Sequence, residues 1–146
     1  MRGYYPQLLV FLQFGIIGIM TCMTVISHSF SWMGLGILLF GIYIGLWAIR
    51  HNPRENFHII PELKEGCCLV TTGIYRYIRH PMYTSVMLMM LGVLLLHPTP
   101  LNLLLWIILI GVLYLKAHRE EHLWMGHDAA YETYREQSRY FIPFIL

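Results

Sequence analysis

The sequence predicts an all-α polytopic membrane protein with about four transmembrane helices, a cytoplasmic connector and a C-terminal amphipathic helix. Of the 146 residues, 57% are hydrophobic and only 12% are charged, which is more apolar than an ordinary soluble domain. Four apolar runs are separated by short polar segments, and the lysines and arginines occur in only three of the polar regions. We therefore expect residues 1–146 to form a single integral membrane domain.

Two apolar runs near the N-terminus predict spans at about residues 8–27 and 32–50, each long enough to cross a bilayer. A signal peptide is the alternative for the first run. Its apolar core exceeds the usual length, and no small-residue cleavage site follows Ser27. In the second run, Gly41 and Gly45 form a small-xxx-small pair that would let another helix approach closely.

Two further apolar runs predict a helical hairpin with spans at about 82–97 and 100–117. The uninterrupted runs are shorter than the roughly twenty residues of a typical span, so the hairpin either borrows flanking residues or is re-entrant. In both cases the chain returns to the same side. We therefore expect His80 and Glu120, which flank the hairpin, to meet in one pocket.

The connector at 51–81 is polar and irregular, because Pro53, Pro61 and Gly66 interrupt any long helix. It is too short for a dinucleotide-binding domain, and no G-x-G-x-x-G follows a strand. In the tail at 118–146, Tyr131 and Tyr134 are three residues apart, which predicts a short amphipathic helix.

Charge placement predicts the topology. The ten basic residues fall in the N-terminus, the connector and the tail: Arg2, Arg50, Arg54, Lys64, Arg76, Arg79, Lys116, Arg119, Arg135 and Arg139. By the positive-inside rule, both termini and the connector face the cytoplasm, together with any active site. The net charge of +2 is too small to indicate a nucleic-acid partner.

The cysteines and histidines do not indicate a disulfide framework or a metal site. Cys67 and Cys68 are adjacent and poorly placed to bridge each other, and Cys22 lies in an apolar run, so we expect three reduced thiols. Zinc would need four well-spaced ligands, and the sequence offers no such set.

The segment 73–83 carries the densest chemistry, with two arginines, one histidine and three tyrosines directly before an apolar run. Pro81 disfavours helix for His80 and fixes the helix start, so we expect the imidazole there, pointing at the membrane interface. The alternative is that Arg76 and Arg79 hold phospholipid headgroups while the tyrosines form an aromatic belt.

In the tail, Lys116 and Glu120 share a helical face, with Glu121 one step round. A solvated helix end with an ion pair is the simple interpretation of this spacing.

Several blocks together have a recognisable order. They are 69–75 (LVTTGIY), 79–83 (RHPMY), Glu120 with Glu121, and a closing Tyr131, Tyr134 and Pro143. These blocks resemble the isoprenylcysteine carboxyl methyltransferase family and its phospholipid methyltransferase relatives. The resemblance covers the chain from about Leu69 to the end, whereas the first two helices match only as generic spans.

The resemblance implies an integral membrane methyltransferase that uses S-adenosylmethionine, held between connector and tail, and that methylates a lipid or lipidated small molecule. The implied cofactor-binding residues are Cys67, Cys68, Leu69, Val70, Tyr75, His80, Pro81, Met82, Tyr83 and Glu120. Lys116, Arg119 and Glu121 are candidates for substrate contact, and Lys116 stands where the family commonly has an arginine. No catalytic residue is assigned, and the oligomeric state is left open.

The chemistry of methyl transfer leaves the acceptor open. The reaction is an in-line displacement in which a protein mainly positions the reactants and excludes water. An ionised carboxylate acceptor needs no base, whereas a phospholipid amine must lose a proton, for which His80, His118 and Glu121 are candidates. A phospholipid N-methyltransferase is therefore an alternative to an isoprenylcysteine carboxyl O-methyltransferase. The Arg79-His80-Pro81 block and the aromatic tail also resemble those of membrane sterol reductases, so a sterol-reductase-like enzyme is a further alternative. A non-catalytic membrane scaffold is the last, since Lys116 departs from the family's arginine.

Overall fold

A computed structural model of the chain describes residues 4–53, 56, 60 and 67–142. The helices are α1 (Tyr5–Ser27), α2 (Trp32–His51), α3 (Pro81–Leu96), α4 (Pro100–His127) and α5 (Ala130–Gln137), with a 3-10 helix at Gly73–Arg76. The described residues form no named strand, so the all-α prediction is confirmed. Several residues used above lie outside the described part: Arg2, Arg54, Pro61, Lys64, Gly66 and Pro143.

Local sequence explains where the helices begin. Prolines occupy the first turn of α1, α3 and α4, where a missing N–H costs nothing. Ser31 caps α2 by accepting a hydrogen bond from the Gly34 N–H at 3.2 Å, and Thr99 caps α4 by accepting from Asn102 at the same distance.

Three helices, α1, α2 and α4, are long and apolar enough to cross a membrane. The apolar α3 has 16 residues and is therefore only about 24 Å long, whereas a bilayer core is about 30 Å thick. A count of four full spans is thus approximate. The α4 helix also continues to His127, ten residues past the predicted end of its span, because no proline interrupts the helix-favouring residues after Leu115.

Close packing of α2 on α3 depends on glycines. A Cβ atom at Gly41 would lie 2.7 Å from the Met89 backbone nitrogen, and one at Gly45 would lie 2.6 Å from the Ser85 Oγ. The Ser85 hydroxyl donates to the Gly41 carbonyl at 2.8 Å. The predicted close approach at Gly41 and Gly45 is confirmed, and the partner helix is α3.

Helices α1, α3 and α4 share an apolar core centred on Met20, Leu109 and Leu113, which are fully buried. Large apolar residues also cover the outer faces of α1, α2 and α4, as expected of helices surrounded by lipid. A second cluster, formed by Ala48, Ile74, Tyr75 and Ile78, fixes the connector against the end of α2.

Candidate functional site

The connector, the start of α3, the end of α4 and α5 surround one cavity. All ten residues that the resemblance associates with the cofactor line it: Cys67, Cys68, Leu69, Val70, Tyr75, His80, Pro81, Met82, Tyr83 and Glu120. The lining also includes residues that the sequence did not single out as cofactor contacts: Asn52, Asn56, Ile60, Arg79, Trp124, Tyr131 and Tyr134.

His80 stands at the N-terminus of α3, as its position before Pro81 predicts, but its imidazole is buried at 7% exposure. Our expectation that it points at the membrane interface is wrong. The reason is that Tyr140 and Phe141 pack against the ring, with centroid distances of 5.0 and 5.9 Å, and cover it. The ring is turned instead toward two carboxylates of α4.

Glu120 and His80 meet as expected, although forty residues of chain separate them. The His80 Nδ1 lies 3.7 Å from Oε2 of Glu120, and the Tyr83 hydroxyl donates a hydrogen bond to Oε1 of the same carboxylate. The Glu120 side chain is 24% exposed, so it faces the cavity while its other side is held by protein.

Glu121 lies behind His80. Its Oε1 is 3.2 Å from the His80 Nε2 and 2.5 Å from the Arg79 Nε. Glu121 thus orients His80 and Arg79 and is not among the residues that line the cavity.

Arg79 joins the connector to the C-terminal segment. One guanidinium nitrogen donates to the carbonyl of Ser138 at 2.6 Å and to that of Arg135 at 3.1 Å. The Arg79 backbone N–H also donates to the Arg139 carbonyl at 2.7 Å. The headgroup-binding alternative is therefore wrong for Arg79, since internal partners occupy its guanidinium, whereas Arg76 is exposed.

Lys116 is buried at 2% exposure, and its Nζ donates to the Gln13 Oε1 of α1 at 2.6 Å. The solvated helix end that the spacing favoured is wrong for this residue, because α1 packs over that face of α4. Arg119 is half-buried, and neither residue is among those that line the cavity. Substrate contact by Lys116, Arg119 and Glu121 therefore stays a prediction.

The segment 67–70 has no regular secondary structure and forms one wall of the cavity. Asn56 holds it by donating to the Cys68 carbonyl at 2.7 Å and accepting from the Cys68 N–H at 3.0 Å. Within the described residues, the backbone N–H and C=O groups of Leu69 and Val70 form no hydrogen bond with protein groups. These groups are available to a polar ligand in the cavity, which fits the edge of an adenine or an amino-acid moiety.

The turn at Gly73 positions Tyr75, one of the aromatic residues that line the cavity. Gly73 has a φ of +61°, and a Cβ there would lie 2.3 Å from the His51 ring, so only glycine fits. The turn buries Tyr75, whose carbonyl accepts from the Tyr134 hydroxyl at 2.6 Å. Burial raises the pKa of the phenols of Tyr75, Tyr131 and Tyr134, so they are neutral hydrogen-bond donors at physiological pH.

Sequence patterns could have identified one of the unpredicted lining residues, Trp124, but not another, Asn56. Trp124 follows Glu120 by four residues on α4, so helical spacing alone could have placed it on the cavity face. Asn56 lines the cavity through its hydrogen bonds to Cys68, and no sequence pattern indicates this contact between residues twelve apart. All three cysteines are free thiols, and burial raises the pKa of Cys67.

Comparison with known proteins identifies the family of this chain. A family model described as phospholipid methyltransferase matches residues 29–131. The chain is also 29% identical over 116 residues to the protein-S-isoprenylcysteine O-methyltransferase of Saccharomyces cerevisiae, a match that covers 77% of this chain and 48% of the yeast protein. The chain thus spans about half the length of that relative. Because the family model covers well over half of the sequence, the chain belongs to the phospholipid methyltransferase family.

Proposed function

We propose that this protein is an S-adenosylmethionine-dependent methyltransferase that acts on a lipid-like acceptor embedded in the membrane, with isoprenylcysteine carboxyl O-methylation as its reaction. The observation that carries the proposal is the Glu120 carboxylate, held by Tyr83 and facing a cavity where the apolar helices meet the polar connector. A site for a cationic, partly aromatic cofactor beside a membrane-embedded acceptor needs this combination of groups.

The described residues fit the cofactor's chemical parts. Glu120 supplies a negative charge for its sulfonium or ammonium, and the unpaired backbone groups of Leu69 and Val70 supply hydrogen bonds. Tyr75 and Trp124 provide aromatic surface for its adenine. When bound, the cofactor supplies an activated methyl group, and the protein's part is to orient the acceptor in line and exclude water.

The hydrogen bonds around Glu121 favour a carboxylate acceptor over an amine. An amine must lose a proton before it attacks, so a free base is needed near the acceptor. Glu121 already accepts from Arg79 and approaches His80, and His80 stands between Glu120 and Glu121. An ionised carboxylate requires no such base. The name of the yeast relative is consistent with this choice.

Phospholipid N-methylation is the second candidate, and the family description favours it. His118 is exposed on α4 and is a possible base that the network around Glu121 does not use. The reductase and scaffold alternatives receive no support from either similarity. By the charge argument, the cavity and both termini belong on the cytoplasmic side of the membrane.

The test is methyl transfer from radiolabelled S-adenosylmethionine by the purified protein in vesicles. One sample contains a prenylated cysteine with a free carboxylate, and the other contains phosphatidylethanolamine. We expect base-labile label, as in a methyl ester, in the first sample. Base-stable label in the lipid headgroup would favour the phospholipid reaction instead. Absence of label from both acceptors, with S-adenosylmethionine bound, would contradict both assignments.

A further inference from the structure

A buried polar contact connects α1 to the site. Gln13 lies in the middle of α1 at 7% exposure, and its Oε1 accepts from the Nζ of Lys116 on α4, itself 2% exposed. The family match begins at residue 29, so α1 lies outside it. A glutamine and a lysine are costly to bury in an apolar bundle unless each meets a partner, and this hydrogen bond gives each of them one.

Lys116 stands one helical turn before Glu120. Residues four apart on a helix share a face, and oppositely charged side chains at this spacing attract each other. The Lys116 Nζ lies 5.3 Å from the centroid of the Tyr83 ring, and the Tyr83 hydroxyl donates to Glu120. The ammonium is therefore close to the cavity carboxylate but is directed by Gln13 toward α1.

We propose that Gln13 is a positioning residue for the cofactor site: it holds the Lys116 ammonium on the α1 side and so keeps Glu120 available for a positively charged ligand. The inference rests on the proposed function, since the ligand in question is S-adenosylmethionine. Without the Gln13 acceptor, the ammonium turns toward Glu120 and competes with the cofactor's own positive charge.

The experiment measures the Kd of S-adenosylmethionine by calorimetry on the full chain in lipid nanodiscs, with thermal unfolding recorded in parallel. Gln13→Leu removes the acceptor at similar volume, and we expect about tenfold weaker binding, the scale of one charge-assisted contact. The double variant Gln13→Leu/Lys116→Met also removes the competing cation, so its binding should be at least as tight as that of the wild type.

Thr24→Val is the matched control. Thr24 is another buried polar residue of α1, bonded to the Met20 carbonyl at 2.9 Å, and it lies near the opposite end of the helix from the site. Its loss should lower thermal stability and leave the Kd unchanged. If Gln13→Leu does not fold, Gln13→Asn draws the acceptor back by one methylene and should weaken binding in the same direction.

The outcomes separate the two proposals. Weaker binding by Gln13→Leu that the second substitution restores supports the positioning role. A merely structural role predicts equal binding in folded Gln13→Leu and wild type, or equal loss in the single and double variants, and either result overturns the inference alone. If the wild type binds no S-adenosylmethionine, the proposed function and the inference both fail.

Discussion

Arg79 connects three parts of the site through one guanidinium. It pairs with Glu121, donates to two carbonyls of the C-terminal segment, and lies 5.2 Å from the centroid of the Tyr140 ring. Both members of the ion pair are nearly buried, with side-chain exposures of 9% and 8%. Removing one partner of such a pair leaves the other charge buried without a counter-charge, which strongly destabilises the folded protein.

We predict that Arg79→Met lowers the free energy of unfolding by about 3 kcal/mol, because Glu121 and two carbonyls lose their donor together. Thermal unfolding in detergent measures the loss, and limited proteolysis should show cleavage between residues 128 and 142. Arg76→Met is the control, since Arg76 is exposed three residues earlier. Equal stability of the two variants would show that Arg79 does not hold the C-terminal segment.

Single residues were only partly predictable from the sequence. The position of His80 at a helix start follows from Pro81, and its meeting with Glu120 follows from the hairpin between them. The burial of His80 does not follow, because it depends on the distant Tyr140 and Phe141 folding back over the ring. Gln13 was missed for a similar reason, since one polar residue in an apolar run does not identify its partner.

At the level of elements, glycines at the α2–α3 interface allow these two helices to pack closely. Gly34, Gly41 and Gly92 each lie where a Cβ would come within 3 Å of the backbone of the facing helix. This close approach presents the end of α2 to the 3-10 helix and so fixes one wall of the cavity.

We predict that Gly41→Ala destabilises the protein by about 1–3 kcal/mol, because the new methyl group would force α2 away from α3. Gly36→Ala is a matched control on the same helix, since a Cβ there meets nothing within 4 Å. That control should be neutral or slightly stabilising, because alanine favours helix. Thermal unfolding measures both variants, and a Gly41→Ala protein as stable as the control would refute the packing argument.

Apolar length and proline position predicted where most helices begin and end. The α4 helix continues past the predicted end of its span at residue 117, as far as His127. Charged residues can continue a helix out of a membrane, so a change in polarity does not mark the end of the helix. The sequence did not predict which connector residues contact each other. Side-chain hydrogen bonds such as those between Asn56 and Cys68 hold its described residues, and such contacts leave no periodic pattern in the sequence.

For the whole molecule, the structure separates two ends. Ser29 and His97, in the two turns without basic residues, are in contact at 3.1 Å, whereas the cavity with Arg79 and Glu120 lies at the other end of the helices. The basic residues that the structure describes lie in the segments that adjoin the cavity or at the helix ends next to them: Arg50, Arg76, Arg79, Lys116, Arg119, Arg135 and Arg139. By the positive-inside rule, this placement predicts that the cavity faces the cytoplasm.

We predict that cysteines placed at the exposed positions Ser29 and Arg76 label from opposite sides of the membrane, in a chain whose native cysteines are replaced by serine. In inside-out vesicles, a membrane-impermeant maleimide should reach position 76 and not position 29. Labelling of both positions from the same side would contradict the predicted topology.

The central claim is that Glu120 binds the positive charge of S-adenosylmethionine. Calorimetric titration of the wild type and Glu120→Gln with S-adenosylmethionine and S-adenosylhomocysteine tests it most directly. We expect Glu120→Gln to weaken S-adenosylmethionine binding about tenfold or more, since a buried charge-assisted contact is lost. Equal weakening of both ligands would assign the contact to the ammonium that they share, and weakening of S-adenosylmethionine alone would assign it to the sulfonium. Unchanged affinity for both ligands in a folded variant would contradict the account.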